Sequence, residues 1–305
     1  MGAGHDHSHV TAGHGQRGRL ALVLGISTTI LAIEVLGGLL TGSLALLADA
    51  GHMFTDAAGV GLSLIAVTLA GRPANARRTF GLQRAEILAA AVNAVLLFAV
   101  GAFILVEAVR RIIEPKEIAS TGMVVFAVVA LLANTCSVFL LRSGQGESLN
   151  VRGAYLEVLS DAIGAGAVLV AAIVIAATGF TRADAVASLA IAVLILPRTW
   201  KLLREALHIL IEATPKGIDL DDVREHILQV PGVVDVHDLH AWTITSGVPV
   251  LSAHVVVGVD QVTAKCGDGI LDQLSACLGG HFDVEHCTFQ LEPLGHVDHE
   301  HATHP

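Results

Sequence analysis

Residues 47–71, "LADAGHMFTDAAGVGLSLIAVTLAG", are apolar enough to cross a bilayer, yet they carry Asp49, His52 and Asp56. An ionisable side chain inside a membrane span costs several kcal/mol and is retained where it faces a partner or a watery cavity. The stretch points both to a membrane protein and to chemistry within its spans. The rest of the chain agrees with the first point. Of its 305 residues 53% are hydrophobic and only 15% charged, and the mean hydropathy is +0.67. Runs of about 20 apolar residues, the length that crosses a hydrocarbon core, fall at 20–40, 44–71, 85–109, 119–141, 153–178 and 184–200.

Beyond the sixth run the pattern changes. "IDLDDVREHILQV" has the spacing of an amphipathic helix, whereas "VVDVHDLHAWTIT" and "VLSAHVVVGVD" alternate as half-buried strands do. "VTAKCGDGILDQLSACLG" then reads as a helix and "VEHCTFQLE" as a strand. The expected fold is a six-helix transmembrane domain over 20–204 followed by a small α+β domain of ferredoxin-like type, α-β-β-α-β, over 205–293. Both ends, 1–19 and 294–305, are histidine-rich: "HDHSH" with His14, and "GHVDHEHATHP". Their composition offers imidazoles to metal and nothing to fold around, so they are expected to be flexible metal-collecting tails.

With both termini inside, eleven basic residues fall on the inner flanks (Arg17, Arg19, Arg72, Arg77, Arg78, Arg84, Arg142, Arg152, Arg198, Lys201, Arg204) and four on the outer loops (Arg110, Arg111, Lys116, Arg182). That imbalance orients the chain with its termini and α+β domain in the cytoplasm, and the plasma membrane, a bacterial inner membrane, is the expected location. The start lacks the basic region of a signal peptide, so the first span reads as a retained helix. Cys136, Cys266, Cys277 and Cys287 form no CxxC, which argues against a disulfide framework or a thiolate knuckle. Neither HExxH, GxGD nor a GxxxxGK[ST] phosphate loop occurs, so an enzyme or an ATP-driven pump finds no support.

His52 and Asp56 are four apart and share one helix face. In "NVRGAYLEVLSDAIGAGAVLV" Glu157 and Asp161 repeat the spacing in the fifth span. Two such pairs can converge, and one imidazole with three carboxylates suits a tetrahedral divalent transition ion, Zn2+ first. The competing structural reading is two unrelated polar pairs, each bonded to a neighbouring helix; carboxylates buried together without a cation would repel. Glu34, Asp49, Glu86, Asn93, Asn134 and Asp184 orient ligands, line the pathway or bond between helices, and Gly51, Gly59, Gly61, Ala165 and Gly166 allow helices to approach.

"GSLALLADAGHMFTDAAG", "RTFGLQRAEILAA", "NVRGAYLEVLSDAIG", "VVDVHDLHAWTITSGVPVLSAHVVV" and "VEHCTFQLE" together resemble the cation diffusion facilitators, in the zinc, cadmium and cobalt exporting branch, over residues 20–292. The resemblance implies a homodimer that exchanges cytoplasmic divalent metal for protons, with lipid, protons and metal as partners and no nucleic acid. By resemblance, His52, Asp56 and Asp161 belong to the transport site. Glu157 stands where the zinc branch commonly has histidine, which opens metal selectivity. In the cytosolic domain the resemblance points to His237, His254, His286 and Glu292 as ligands, with His240 as an alternate, and to a regulatory as well as a transported Zn2+. Plain surface histidines are the alternative there. The loop "GRPANARRTFGLQR" has no His, Asp or Glu, so no metal is expected in it; its arginines meet anionic lipid heads, meet the acidic domain, or serve as positive-inside anchors.

An empty site with Asp56, Glu157 and Asp161 close together cannot keep three negative charges, so some take up protons, and arriving metal expels them. That competition, with alternating access, is a physical basis for antiport. The alternative function is a membrane-anchored metal sensor or chaperone, which explains the soluble histidines and leaves the acidic pairs in the spans unexplained.

Overall fold

The computed structural model describes residues 9–142, 149–258, 267–282, 284, 286–296 and 299. Six long helices come first: α1 (His9–Thr41), α2 (Leu44–Ala70), α3 (Ala85–Ile113), α4 (Ser120–Arg142), α5 (Leu149–Thr178) and α6 (Arg182–Leu210). Each contains a stretch long and apolar enough to cross a membrane. Large apolar side chains stand outward along them, Leu40 and Leu194 each 74% exposed, a surface that requires lipid rather than water. The chain is therefore a multi-pass membrane protein. Residues 9–19, read from sequence as part of a flexible tail, continue α1; the rest of the two tails lies largely outside the described residues.

The chain divides into two compact units. One holds residues up to Leu62 and Val92–Lys201; the other holds Ser63–Ala91 and the chain from Leu202 onward. In the first, α4 packs on α1 and α5 through small residues: Ala127, Ala130, Ala165, Ala171 and Ala172 are buried among Ile30, Met53, Met123 and Val168. Short side chains let the helices approach without a hydrophobic driving force, which lipid does not supply. Gly51 and Gly59 serve this purpose, their α-carbons lying against Val100 and Asn93, whereas Gly61 and Gly166 face open space. α1 ends because Gly42 turns left-handed (φ 73°) and sends its N–H back to Gly38 O.

In the second unit the order is α7 (Leu220–Leu228), β1 (Val233–Thr243), β2 (Pro249–Val257), α8 (Gly267–Phe282) and β3 (His286–Pro293). This is the expected α-β-β-α-β order. Asp219 caps α7, accepting from Asp221 N–H. The sheet order is β1-β2-β3, antiparallel between β1 and β2 and parallel between β2 and β3, with α8 as the crossover. Val223 and Ile227 of α7 and Leu274 and Leu278 of α8 cover one sheet face, packed on Val236, Leu251 and Val255.

Candidate metal centres

In α2, His52 and Asp56 meet across one helical turn, His52 Nε2 lying 3.2 Å from Asp56 Oδ2. Asp56, Glu157 and Asp161 line a single cavity of about 230 Å3, walled by Val23, Met53, Val60, Ala154 and Val158 of α1, α2 and α5. Three of the four residues read from spacing thus line one space, and His52 is not among its walls. Their ligand atoms do not close to coordination distance: among the described residues, one group alone has three or more candidate ligand atoms within 4.8 Å of one another, and it lies elsewhere. Asp161 is 5% exposed, while Glu157 is exposed. Arg198, counted from sequence as a flank charge, acts electrostatically on His52, Asp56 and Glu157. Sequence gave no sign of this, because its register on α6 against the other helices is set by packing.

Glu34 and Asp49 are buried at 0% and 2% exposure, and their two carboxyl groups interact with each other. Asp49 Oδ1 lies 2.9 Å from the position a Cβ on Gly164 would take, so α5 needs glycine there to pass it. Asp184 has a different task. Its carboxylate accepts from Ser43 Oγ–H (2.5 Å), Leu44 N–H (2.8 Å) and Ala45 N–H (3.1 Å), so a residue in the first turn of α6 caps the N-terminus of α2. Arg111 lies 3.7 Å from the same carboxylate.

The group that closes is in the C-terminal sheet. His237 of β1 pairs directly with His254 of β2, and β3 brings Glu292, 1% exposed, beneath both. Glu292 Oε2 lies 3.1 Å from His237 Nε2, and Oε1 lies 2.8 Å from His254 Nδ1 while also accepting from Gln290 Nε2. One carboxylate and two imidazoles with ligand atoms within 4.8 Å of one another have the donor types and spacing to hold a divalent metal ion. His286 stands apart. The parallel register sets it opposite Val250, whereas Gln290 faces His254, and its ring packs edge-on against Phe80 at 5.3 Å. His240 sits opposite Ser252, half-exposed, with Nε2 at 3.8 Å from Asp238.

Asp238 is the residue that strict alternation hides. Period two would put it on the face opposite His237, but the register slips between His237 and His240 and Asp238 turns left-handed (φ 47°). The bulge sets its Oδ2 3.7 Å from His237 Nδ1 and 3.9 Å from His254 Nδ1. An aspartate adopts that backbone more readily than most residues, which is the one clue "HDLH" carried.

In the loop before α3, Asn75 Oδ1 accepts from the N–H groups of Arg77 and Arg78, and Arg84 Nη2 donates to Glu212 Oε1 at 2.6 Å. Of the partners considered for these arginines, the acidic domain is the one Arg84 meets. Glu86 Oε2 accepts from Thr245 Oγ1 at 2.9 Å.

Residues 20–211 match the cation efflux transmembrane domain and residues 215–294 the cation efflux protein cytoplasmic domain. The chain is 46% identical over 292 residues to the metal cation efflux system protein CzcD of Cupriavidus metallidurans, covering 96% of this chain and 90% of that one. It is 39% identical over 302 residues to a cadmium, cobalt and zinc/H(+)-K(+) antiporter of Bacillus subtilis, covering 98% and 94%. To the zinc transporter ZitB of Escherichia coli it is 38% identical over 294 residues, covering 94% and 92%. A solved structure of the metal-bound C-terminal domain of the CzcD transporter is 39% identical, spans 25% of this chain and 99% of its own, and has a TM-score of 0.22. The sensor alternative is not favoured, since the helical domain itself carries the match. The chain belongs to the cation diffusion facilitator family of metal-cation efflux transporters.

Proposed function

We propose that this chain is a secondary active exporter of Zn2+, with Cd2+ and Co2+ as further substrates, that moves the ion out of the cytoplasm in exchange for protons. The observation that carries the reading is the single cavity shared by Asp56, Glu157 and Asp161, with His52 bonded to Asp56 at its edge. The ion binds there through the His52 imidazole and the carboxylates of Asp56, Glu157 and Asp161. Ligands bind deprotonated, so loading the ion expels protons that the crowded carboxylates hold when the site is empty. Arg198 balances part of the acidic charge in the empty site, and a divalent ion takes over that role. His237, His254 and Glu292 hold a regulatory Zn2+, with Asp238 orienting the imidazoles through the bulge. The protein works as a homodimer in the plasma membrane with both termini in the cytoplasm.

The test is zinc flux in proteoliposomes under an imposed pH gradient. Asp56→Ala and Asp161→Ala abolish flux while the protein still inserts. Glu157→His retains zinc flux and raises the preference for zinc over manganese, because imidazole is a softer ligand than carboxylate. A flux indifferent to the pH gradient would mean a channel, and unaltered flux in either alanine variant would remove that residue from the site.

A further inference from the structure

The helical side of the C-terminal domain holds residues of metal-binding type that belong to neither the transport cavity nor the strand cluster. α7 carries Asp222 and His226, and α8 carries Cys277 and His281. In each helix the two residues are four apart, so each pair shares a face. The two faces meet: the rings of His226 and His281 lie 4.9 Å apart, tilted by 48°.

Both rings are fixed by the same device. His226 donates Nδ1–H to the Asp222 carbonyl at 2.8 Å, and His281 donates Nδ1–H to the Cys277 carbonyl at 2.9 Å. A carbonyl only accepts, so each neutral imidazole keeps its proton on Nδ1 and its lone pair on Nε2. That is the tautomer of a histidine that binds metal through Nε2, and a backbone carbonyl behind Nδ1 is the usual partner of such a ligand. Phe282 stands edge-on to His226 at 5.0 Å and walls one side. Cys277 Sγ lies 4.0 Å from His281 Nδ1. The buried faces of the two helices share one core, so their backbones are held at packing distance before any ligand arrives.

We propose that His226 and His281, joined by Cys277 once its side chain rotates from Nδ1 toward Nε2 of His281, form a second metal site of the C-terminal domain that takes a borderline or soft divalent cation and cross-links α7 to α8. Two imidazoles and a thiolate select Zn2+ and Cd2+ over Mg2+ and Mn2+. The site stands independently of the transport reading, since none of its residues belongs to either centre described above.

The experiment uses the full chain in nanodiscs with Cys136, Cys266 and Cys287 replaced by serine, leaving Cys277 as the one thiol. Cd2+ slows maleimide labelling of Cys277 by roughly tenfold or more, because a coordinated thiolate is withheld from the reagent; Mg2+ does not. A sulfur-to-cadmium charge-transfer band appears in the near ultraviolet and is absent after Cys277→Ser. The histidine-rich chain ends carry no thiol and contribute to neither signal. In the His226→Gln/His281→Gln variant the protection is lost, with circular dichroism confirming the fold; if that variant does not fold, the single His226→Gln variant is required to weaken protection. Labelling unaffected by Cd2+, or slowed equally in the double-histidine variant, overturns the site.

Discussion

Replacing Asp184 with alanine removes the acceptor at the N-terminus of α2. Three donors lose their partner together: the Ser43 hydroxyl and the N–H groups of Leu44 and Ala45. Ser43 and Ala45 are 0% exposed and Leu44 2%, so water does not substitute. An unsatisfied buried donor costs about 1–3 kcal/mol. Ser43 can rotate toward another acceptor, and the two amides cannot, so the loss is about 3–5 kcal/mol, comparable to breaking a buried charged pair. In a bundle of this size that corresponds to a fall in melting temperature of roughly 10 °C. Asp184→Asn keeps one acceptor oxygen in place and loses about 1–2 kcal/mol. The assay is a thermal melt of the purified protein in detergent, run beside zinc flux. Both readouts fall together in the alanine variant and recover together in the asparagine variant. An alanine variant that melts like the parent yet transports nothing would refute the capping role and make Asp184 part of the ion pathway.

Glu292→Gln keeps the shape of the side chain and removes its charge; zinc at about 100 times its dissociation constant stabilises the parent domain by about 2.7 kcal/mol, and hydrogen exchange of the β1–β3 amides slows with zinc in the parent and not in the variant. Gly164→Ala drives a methyl into Asp49 and lowers the melting temperature, an overpacking cost of about 1–3 kcal/mol, whereas Gly166→Ala, with nothing within 4 Å, is neutral or stabilising; equal effects of the two would contradict the packing. Burial pushes the Cys287 thiol up from its ordinary value, so less thiolate is present at a given pH. In a chain with Cys287 as its one thiol, the labelling-rate profile is therefore shifted to higher pH than that of the unfolded chain, and coincident profiles would contradict it.

The helices were legible because a bilayer demands about 20 apolar residues and few sequences meet that by accident. The pairing of His52 with Asp56 followed from helical periodicity; His237, His254 and Glu292 were singled out by the family resemblance, and the strand pattern placed them on three strands of one sheet. What escaped the sequence depends on register between elements. His286 shares β3 with Glu292, yet the residue count that separates them along the strand keeps it away from His254, and only the pairing of β3 on β2 fixes that count. Asp238 was hidden by a one-residue bulge, which no alternating pattern anticipates. Asp184 was singled out as a residue that orients ligands, lines the pathway or bonds between helices; which of these it does needs α2 and α6 to adjoin at one end, a fact of packing. Arg198 was visible as a charge and invisible as a neighbour of the acidic site.

Because β3 is the last strand of its sheet, Glu292 joins His237 and His254 only after β1, β2 and α8 have all been made. Domains generally fold from the N-terminus as the chain emerges. The six helices, with Asp56, Glu157 and Asp161 lining one cavity, are therefore made and inserted before the sheet can offer its carboxylate to a metal. A chain cut short in β3 before Glu292 retains the six helices and lacks the carboxylate of the strand cluster, so metal held by that cluster would mark a completed sheet.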